Sequence, residues 1–205
     1  MIDLHVHIVP GLDDGPSAIA DAVAMGRIAA EEGTTVIVAT PHMLDGRYNA
    51  QRGQILDGVR ALQEAFANED LALKLLPGAD VHATADLPER VRSDEVLTVA
   101  DQGKYLMVEL SSDVMPHGID KMFFSLQLVG MTPIISHPER NTEVQARPSA
   151  LFPLVHAGNL VQVTAASLTG RFGRAAECCA RELLALDVVH LVASCLLYTL
   201  TLPTN

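Results

Sequence analysis

The sequence predicts a single α/β domain built as a parallel-stranded (β/α) barrel. Two observations predict it. Strand-like and helix-like segments alternate about seven times along the chain, the pattern of parallel strands joined by helical crossovers. In addition, His5, His7, His42, Asp80, Glu109 and His137 all fall at or near the C-terminal ends of strand segments, which is the functional face of such a barrel. With that many units a closed barrel is expected over an open sheet. No internal repeat or linker divides the chain.

The elements follow in order. Residues 2–8 alternate and are β-prone, giving strand one. A loop with Pro10, Gly11, Gly15 and Pro16 leads to a helix that Ser17 can cap and Gly33 ends. Residues 34–39 are a β-branched buried strand, with Thr40-Pro41-His42 just past its end. A long helix spans 50–68, a strand 71–81 and a short helix 87–92. Strand 105–110, helix 117–129 closed by Gly130, and strand 132–136 bring His137 to a strand end. Helix 148–157, strand 160–164, helix 174–186 and strand 188–193 complete the pattern.

Composition narrows the function classes. The chain has 205 residues, 49% hydrophobic and 19% charged, enough for one domain with a sizeable core and unlike a disordered segment. The net charge of -11 argues against nucleic-acid binding through a broad basic surface. Part of that charge is expected to be carboxylates meant for cations. No apolar run is long enough to span a bilayer. The chain opens at its functional motif, so no removable leader is expected. The three cysteines, Cys178, Cys179 and Cys195, form no Cys-x-x-Cys, so neither a disulfide framework nor a thiolate zinc site is expected, and a reducing cytoplasm fits.

His5-Val6-His7 is the first constellation. Alternate residues of a strand share a face, so both imidazoles point into the lumen and can bind one divalent ion. Alone, the pair reads equally well as two polar residues at a strand end. Asp13 and Asp14 lie in a Gly/Pro loop that ordinarily means a solvated turn, but at a barrel mouth one of them can be a ligand. Asp80 is placed to bridge two cations. Glu109 ends the apolar run Tyr105-Leu106-Met107-Val108, where a carboxylate is costly to bury unless paired or metal-bound. Nitrogen and oxygen ligands suit manganese, iron or zinc. Two or three such ions would polarise a phosphoryl oxygen and generate hydroxide at neutral pH. Arg140 adds a donor fork that matches a phosphate, although a surface salt bridge with Glu139 or Glu143 is the plainer reading.

His82, His117, His156 and His190 are not expected as ligands; His82 and His117 are near enough to touch substrate. Met122-Phe123-Phe124 with Leu126 and Leu128 reads as core or as a subunit contact, which leaves a homo-oligomer open.

Taken together, Met1-Ile2-Asp3-Leu4-His5-Val6-His7, Pro10-Gly11-Leu12-Asp13-Asp14-Gly15-Pro16, Ala39-Thr40-Pro41-His42, Gly78-Ala79-Asp80 and Ser136-His137-Pro138-Glu139-Arg140-Asn141 resemble the bacterial manganese-dependent protein-tyrosine phosphatases of the polymerase and histidinol phosphatase (PHP) superfamily. The similarity covers residues 1–194. It implies a distorted (β/α)7 barrel, a cluster of up to three metals, and dephosphorylation of tyrosine kinases that control capsule or exopolysaccharide synthesis. By matching position it implies His5, His7, Asp14, His42, Asp80, Glu109 and His137 as ligands, with Arg140 holding the phosphate and His42 beside it in the catalytic set. The family usually has Glu at the place of Asp80.

The chain departs from that pattern at its end. The family reads Ala-Ser-Asp-Ala-His after the last strand, with the Asp and His as ligands. Here Ala193-Ser194 is followed by Cys195-Leu196-Leu197. Residues 195–205 resemble read-through of a transposase sequencing adapter, which would make the tail an assembly artefact. The resemblance thus implies a barrel truncated at its C-terminus and impaired in metal binding. Two other readings stay open: a small-molecule phosphatase acting on a substrate such as histidinol phosphate, and a non-catalytic metal-binding protein. An amide-cleaving barrel hydrolase lacks its lysine, because Lys104 precedes its strand.

Overall fold

The computed structural model describes residues 1–195. Its elements are β1 (Ile2–Val6), α1 (Ile19–Glu31), β2 (Val36–Ala39), β3 (His42–Met43), α2 (Arg52–Asn68), β4 (Lys74–Pro77), β5 (Asp80–His82), α3 (Leu87–Arg92) and β6 (Tyr105–Glu109). There follow α4 (Ile119–Leu128), β7 (Thr132–Ser136), α5 (Thr142–Ala146), α6 (Phe152–His156), β8 (Leu160–Thr164), α7 (Ala165–Leu168), α8 (Arg174–Ala185) and β9 (Leu191–Ala193). The fold is α/β, and every described strand pair is parallel.

The strands form a 3-stranded sheet, β1-β2-β4, and a 6-stranded sheet, β3-β5-β6-β7-β8-β9. Two short breaks, between β2 and β3 and between β4 and β5, separate strands of one sheet from strands of the other. After β2, Thr40-Pro41 intervenes, and Pro41 has no N–H to continue the ladder. After β4, Gly78 approaches so closely that a Cβ there would lie 2.7 Å from Val38 Cγ1. The expected single strand over 71–81 is therefore two, β4 and β5, because the backbone turns at Gly78-Ala79. The first sheet also meets the second at its far edge. Cys195 N donates to His5 O at 2.9 Å, and Ser194 N donates to Asp3 Oδ1 at 3.2 Å.

Consecutive buried residues in β6 (Leu106, Met107, Val108) show a strand covered on both faces, as parallel sheets require. Helices α1 and α2 cover one side. Phe66 is fully buried between them, and a Cβ at Gly26 would come within 2.5 Å of its Cζ, so close packing depends on that glycine.

Several boundaries differ from expectation. Ser17 does not cap α1; Ala18 holds the cap position with no side-chain bond. The segment expected as one helix over 148–157 is a 3-10 turn, Pro148–Leu151, followed by α6. The last strand is shorter than 188–193, because Val188 N still bonds back to Leu183 O. In α4, Phe123 and Leu126 are core, whereas Phe124 and Leu128 are exposed. Among the described residues, no helix is long and apolar enough to cross a membrane. Of the expected foreign tail, Cys195 is buried within the fold, and 196–205 lie outside the described residues.

Candidate metal centre

His5 and His7 leave the end of β1 with their rings turned to one another, Nε2 to Nε2 at 3.1 Å. That is close to the edge of about 3.3 Å expected between two nitrogens on one tetrahedral ion with bonds near 2.0 Å. Each ring is fixed from behind. His5 Nδ1 donates to Gln162 Oε1 on β8 at 2.8 Å, and His7 Nδ1 donates to Asp13 Oδ2 at 2.6 Å. In that tautomer both Nε2 lone pairs face the cluster, as metal-ligating histidines require. Asp13 is itself held by Gly15 N at 2.9 Å and His42 N at 3.1 Å.

The carboxylates enter from the neighbouring strands. Asp80 opens β5 and is fully buried. Its Oδ1 accepts from Ser136 Oγ at 2.7 Å, and its Oδ2 lies 3.3 Å from His137 Nε2 and 3.6 Å from His5 Nε2. Glu109 closes β6, with Oε2 3.2 Å from His42 Nδ1 and Oε1 3.7 Å from His137 Nε2. Asp14 Oδ1 stands 3.8 Å from His42 Nε2 at the exposed rim. His137 follows β7 with φ 31°, a left-handed conformation that costs a non-glycine residue on the order of 1–3 kcal/mol. From this conformation its ring lies against Asp80.

Every residue expected as a ligand therefore converges on one volume. Four overlapping sets, His5/His137/Cys195, His5/His7/Asp80, His7/Asp14/His42 and His42/Asp80/Glu109, each keep their ligand atoms within 4.8 Å of one another. The capsular polysaccharide synthesis family CpsB/CapC matches residues 1–196. The chain belongs to this family. Among its relatives, the tyrosine-protein phosphatase YwqE of Bacillus subtilis (strain 168) is 35% identical over 194 residues, covering 95% of this chain and 76% of the relative. The putative tyrosine-protein phosphatase CapC of Staphylococcus aureus is 33% identical over the same shares. A solved structure from work on YwqE of Bacillus subtilis and CpsB of Streptococcus pneumoniae, described as unique metal-dependent tyrosine phosphatases, superposes with a TM-score of 0.90. It is 35% identical, over 94% of this chain and 78% of that one.

In this CpsB/CapC chain the charges of the cluster hold one another. Burial alone would depress His5, but the neighbouring Cys195 and Asp80 charges outweigh it and raise the imidazole to about 9. Burial likewise opposes His7, yet its bond to Asp13 raises it well above its usual value. Burial would raise Asp80, but His5, His137 and His42 keep its carboxyl well below the usual range. Glu109 is held down to about 2, burial being overcome by His42 and His82. Protonated imidazoles thus supply the positive charge that buried carboxylates need. A divalent cation can supply the same charge and leave the imidazoles neutral as ligands. The donor set fits such a cation. His42 Nδ1 is buried without a hydrogen bond of good geometry, an orphan aimed between Asp80 and Glu109.

Among the described residues Arg140 forms no salt bridge with Glu139 or Glu143. Its guanidinium lies over the Phe172 ring at 4.6 Å and lines a cavity of about 90 Å³ with Glu109, Ser111, Ser136 and His137. Glu139 turns inward instead, accepting from Thr164 N at 2.9 Å and Ser167 Oγ at 2.7 Å. A second, more open cavity of about 230 Å³ runs from Asp14 and His42 past Arg47, Tyr48 and His82 to Glu109. His82 reaches its wall, 3.9 Å from Glu109 Oε2, while His156 and His190 are occupied with backbone bonds elsewhere.

Sequence reasoning missed Gln162 and the position of Cys195, and it named Asp13 as a possible ligand without its orienting role behind His7. Gln162 carried a signal, since it is a polar residue between buried Val161 and Val163 in a strand. No thiolate zinc site was expected, yet Cys195 is buried in one of the candidate sets. His5 and His7 also draw its thiol well below its usual range against the effect of burial. Position 197, where the resemblance implies a lost His ligand, lies outside the described residues.

Proposed function

We propose that this chain is a metal-dependent protein-tyrosine phosphatase, a phosphoric monoester hydrolase acting on phosphotyrosine of a tyrosine kinase that controls capsule or exopolysaccharide synthesis. The observation that carries the proposal is the meeting of the His/carboxylate cluster with the Arg140 cavity at Glu109 and His137. Relatives named tyrosine-protein phosphatases over 95% of the chain support the substrate class.

In this reading His5, His7, Asp14, His42, Asp80, Glu109 and His137 hold two or three divalent ions, with manganese as the metal. When bound, such ions neutralise phosphoryl charge and supply a nucleophile from water at neutral pH. Arg140 binds two phosphoryl oxygens with its donor fork, and the Phe172 face keeps that fork in plane. Asp13 and Gln162 keep the His7 and His5 tautomers that leave Nε2 free. His42, stacked on Tyr48 at 6.0 Å, borders both the ions and the open cavity and belongs to the catalytic set with Arg140.

We read the two sheets as one distorted (β/α)7 barrel, with β3 continuing β2, β5 continuing β4, and β9 lying beside β1. Residues 1–194 form its unit, and the protein works in the cytoplasm. Cys195 and Leu197 replace two family ligands, so this polypeptide is impaired, and a clean genomic read across codon 194 tests whether they are genuine.

Phosphate release from a phosphotyrosyl peptide and from histidinol phosphate, each with manganese or with a chelator, tests the function. The expected result is weak, manganese-dependent release that favours the peptide and rises in the Cys195→Asp/Leu197→His double variant. Preference for histidinol phosphate supports the small-molecule reading. Undetectable release by the double variant supports a non-catalytic metal-binding protein.

A further inference from the structure

We infer that Cys195 is a metal ligand, whose thiolate with His5 and His137 makes one ion position softer than its carboxylate-lined neighbours. The inference rests on the metal centre proposed above and goes beyond it. A Cys in place of a carboxylate need not be a lost ligand.

Three features place it. Cys195 is 2% exposed, and its sulfur and the nitrogens of His5 and His137 lie within 4.8 Å of one another. Its backbone is tied to the end of β1 by the bond from Cys195 N to His5 O, in a left-handed conformation with φ 45°. His5 Nδ1 is already committed to Gln162, so the ring nitrogen left for this position is Nε2. The adjoining His42/Asp80/Glu109 set holds a buried His42 Nδ1 without a hydrogen-bond partner, on a residue 8% exposed. Cys178 and Cys179 on α8 belong to no such candidate set among the described residues.

Coordination would form a sulfur–metal bond while the thiol proton leaves to solvent, with no change of oxidation state. Thiolate favours zinc, iron(II) or cobalt(II) over manganese, whereas the His42/Asp80/Glu109 set keeps the nitrogen and oxygen donors that suit manganese. The chain would then hold unlike ions at neighbouring positions.

Cobalt(II) titration of the metal-free full chain, followed by absorption spectroscopy, tests this. The expected spectrum has visible ligand-field bands together with a near-ultraviolet thiolate-to-cobalt band. The near-ultraviolet band should vanish in Cys195→Ser and Cys195→Asp, and persist in Cys178→Ser. Zinc should displace it, and manganese in the same excess should not. Visible bands without the near-ultraviolet band in the full chain would overturn the inference and leave the metal centre standing. Persistence of that band in either Cys195 variant would also overturn it. Absence of all cobalt bands would overturn both readings.

Discussion

His7 Nδ1 donates to Asp13 Oδ2 at 2.6 Å, and the same oxygen accepts from the backbone N of His42. One carboxylate therefore sets the tautomer of His7 and the backbone position of His42. Asp13 is an orienting residue beside Asp14, the candidate ligand, and Gly15 makes this geometry accessible: a Cβ there would lie 2.6 Å from His7 O.

From this relationship, Asp13→Ala should weaken divalent-metal binding by about 10–100-fold, the usual cost of losing a group that orients a ligating histidine. Isothermal titration of the metal-free protein measures it. Unchanged affinity would mean that Asp13 does not hold His7.

Arg140→Ala removes the charged donor fork from the cavity beside Glu109. Charged hydrogen bonds contribute about 1.5–3 kcal/mol, so kcat/KM for p-nitrophenyl phosphate at saturating metal should fall by at least about tenfold. A smaller loss, or an equal rate in Arg140→Ala, would remove Arg140 from the phosphate site.

The metal-free chain should lose stability at both ends of the pH range. His5 is raised from 6.5 to about 9, so its contribution is complete below about 6.5 and is lost as pH rises through 9. Glu109 is lowered from 4.5 to about 2, so its contribution is present above about 4.5 and is lost as pH falls through 2. Thermal melting in chelator across these windows checks both signs. A midpoint that rises between pH 6.5 and 9 would contradict the charge pairing described for His5.

Phe66→Ala should destabilise the fold by about 3–5 kcal/mol, because it empties the contact between α1 and α2 opposite Gly26. Denaturant unfolding reports it. Metal affinity per folded molecule should not change, since Phe66 lies in no candidate ligand set.

Much of the site was legible because strand alternation is a local rule. His5 and His7 share a face on any strand, and an acid ending an apolar run, as Glu109 does, signals a paired or liganded carboxylate. The residues behind the ligands were not legible. Asp13 and Asp14 are adjacent acids in one loop, and only folded geometry separates the orienting one from the rim one. Gln162 meets His5 across 157 residues of sequence, and Cys195 returns to β1 only when β9 is laid beside it. The break at Gly78-Ala79 had a local signal, the Pro77-Gly78 dipeptide, which the apolar run on its N-terminal side outweighed in the reading of one strand.

The most direct test of the central claim is a crystal of the full chain grown with manganese, with diffraction recorded at the manganese absorption edge. Anomalous density flanked by His42, Asp80 and Glu109 is the predicted result. A manganese-soaked crystal with no anomalous peak among these side chains would contradict a metal centre at these strand ends.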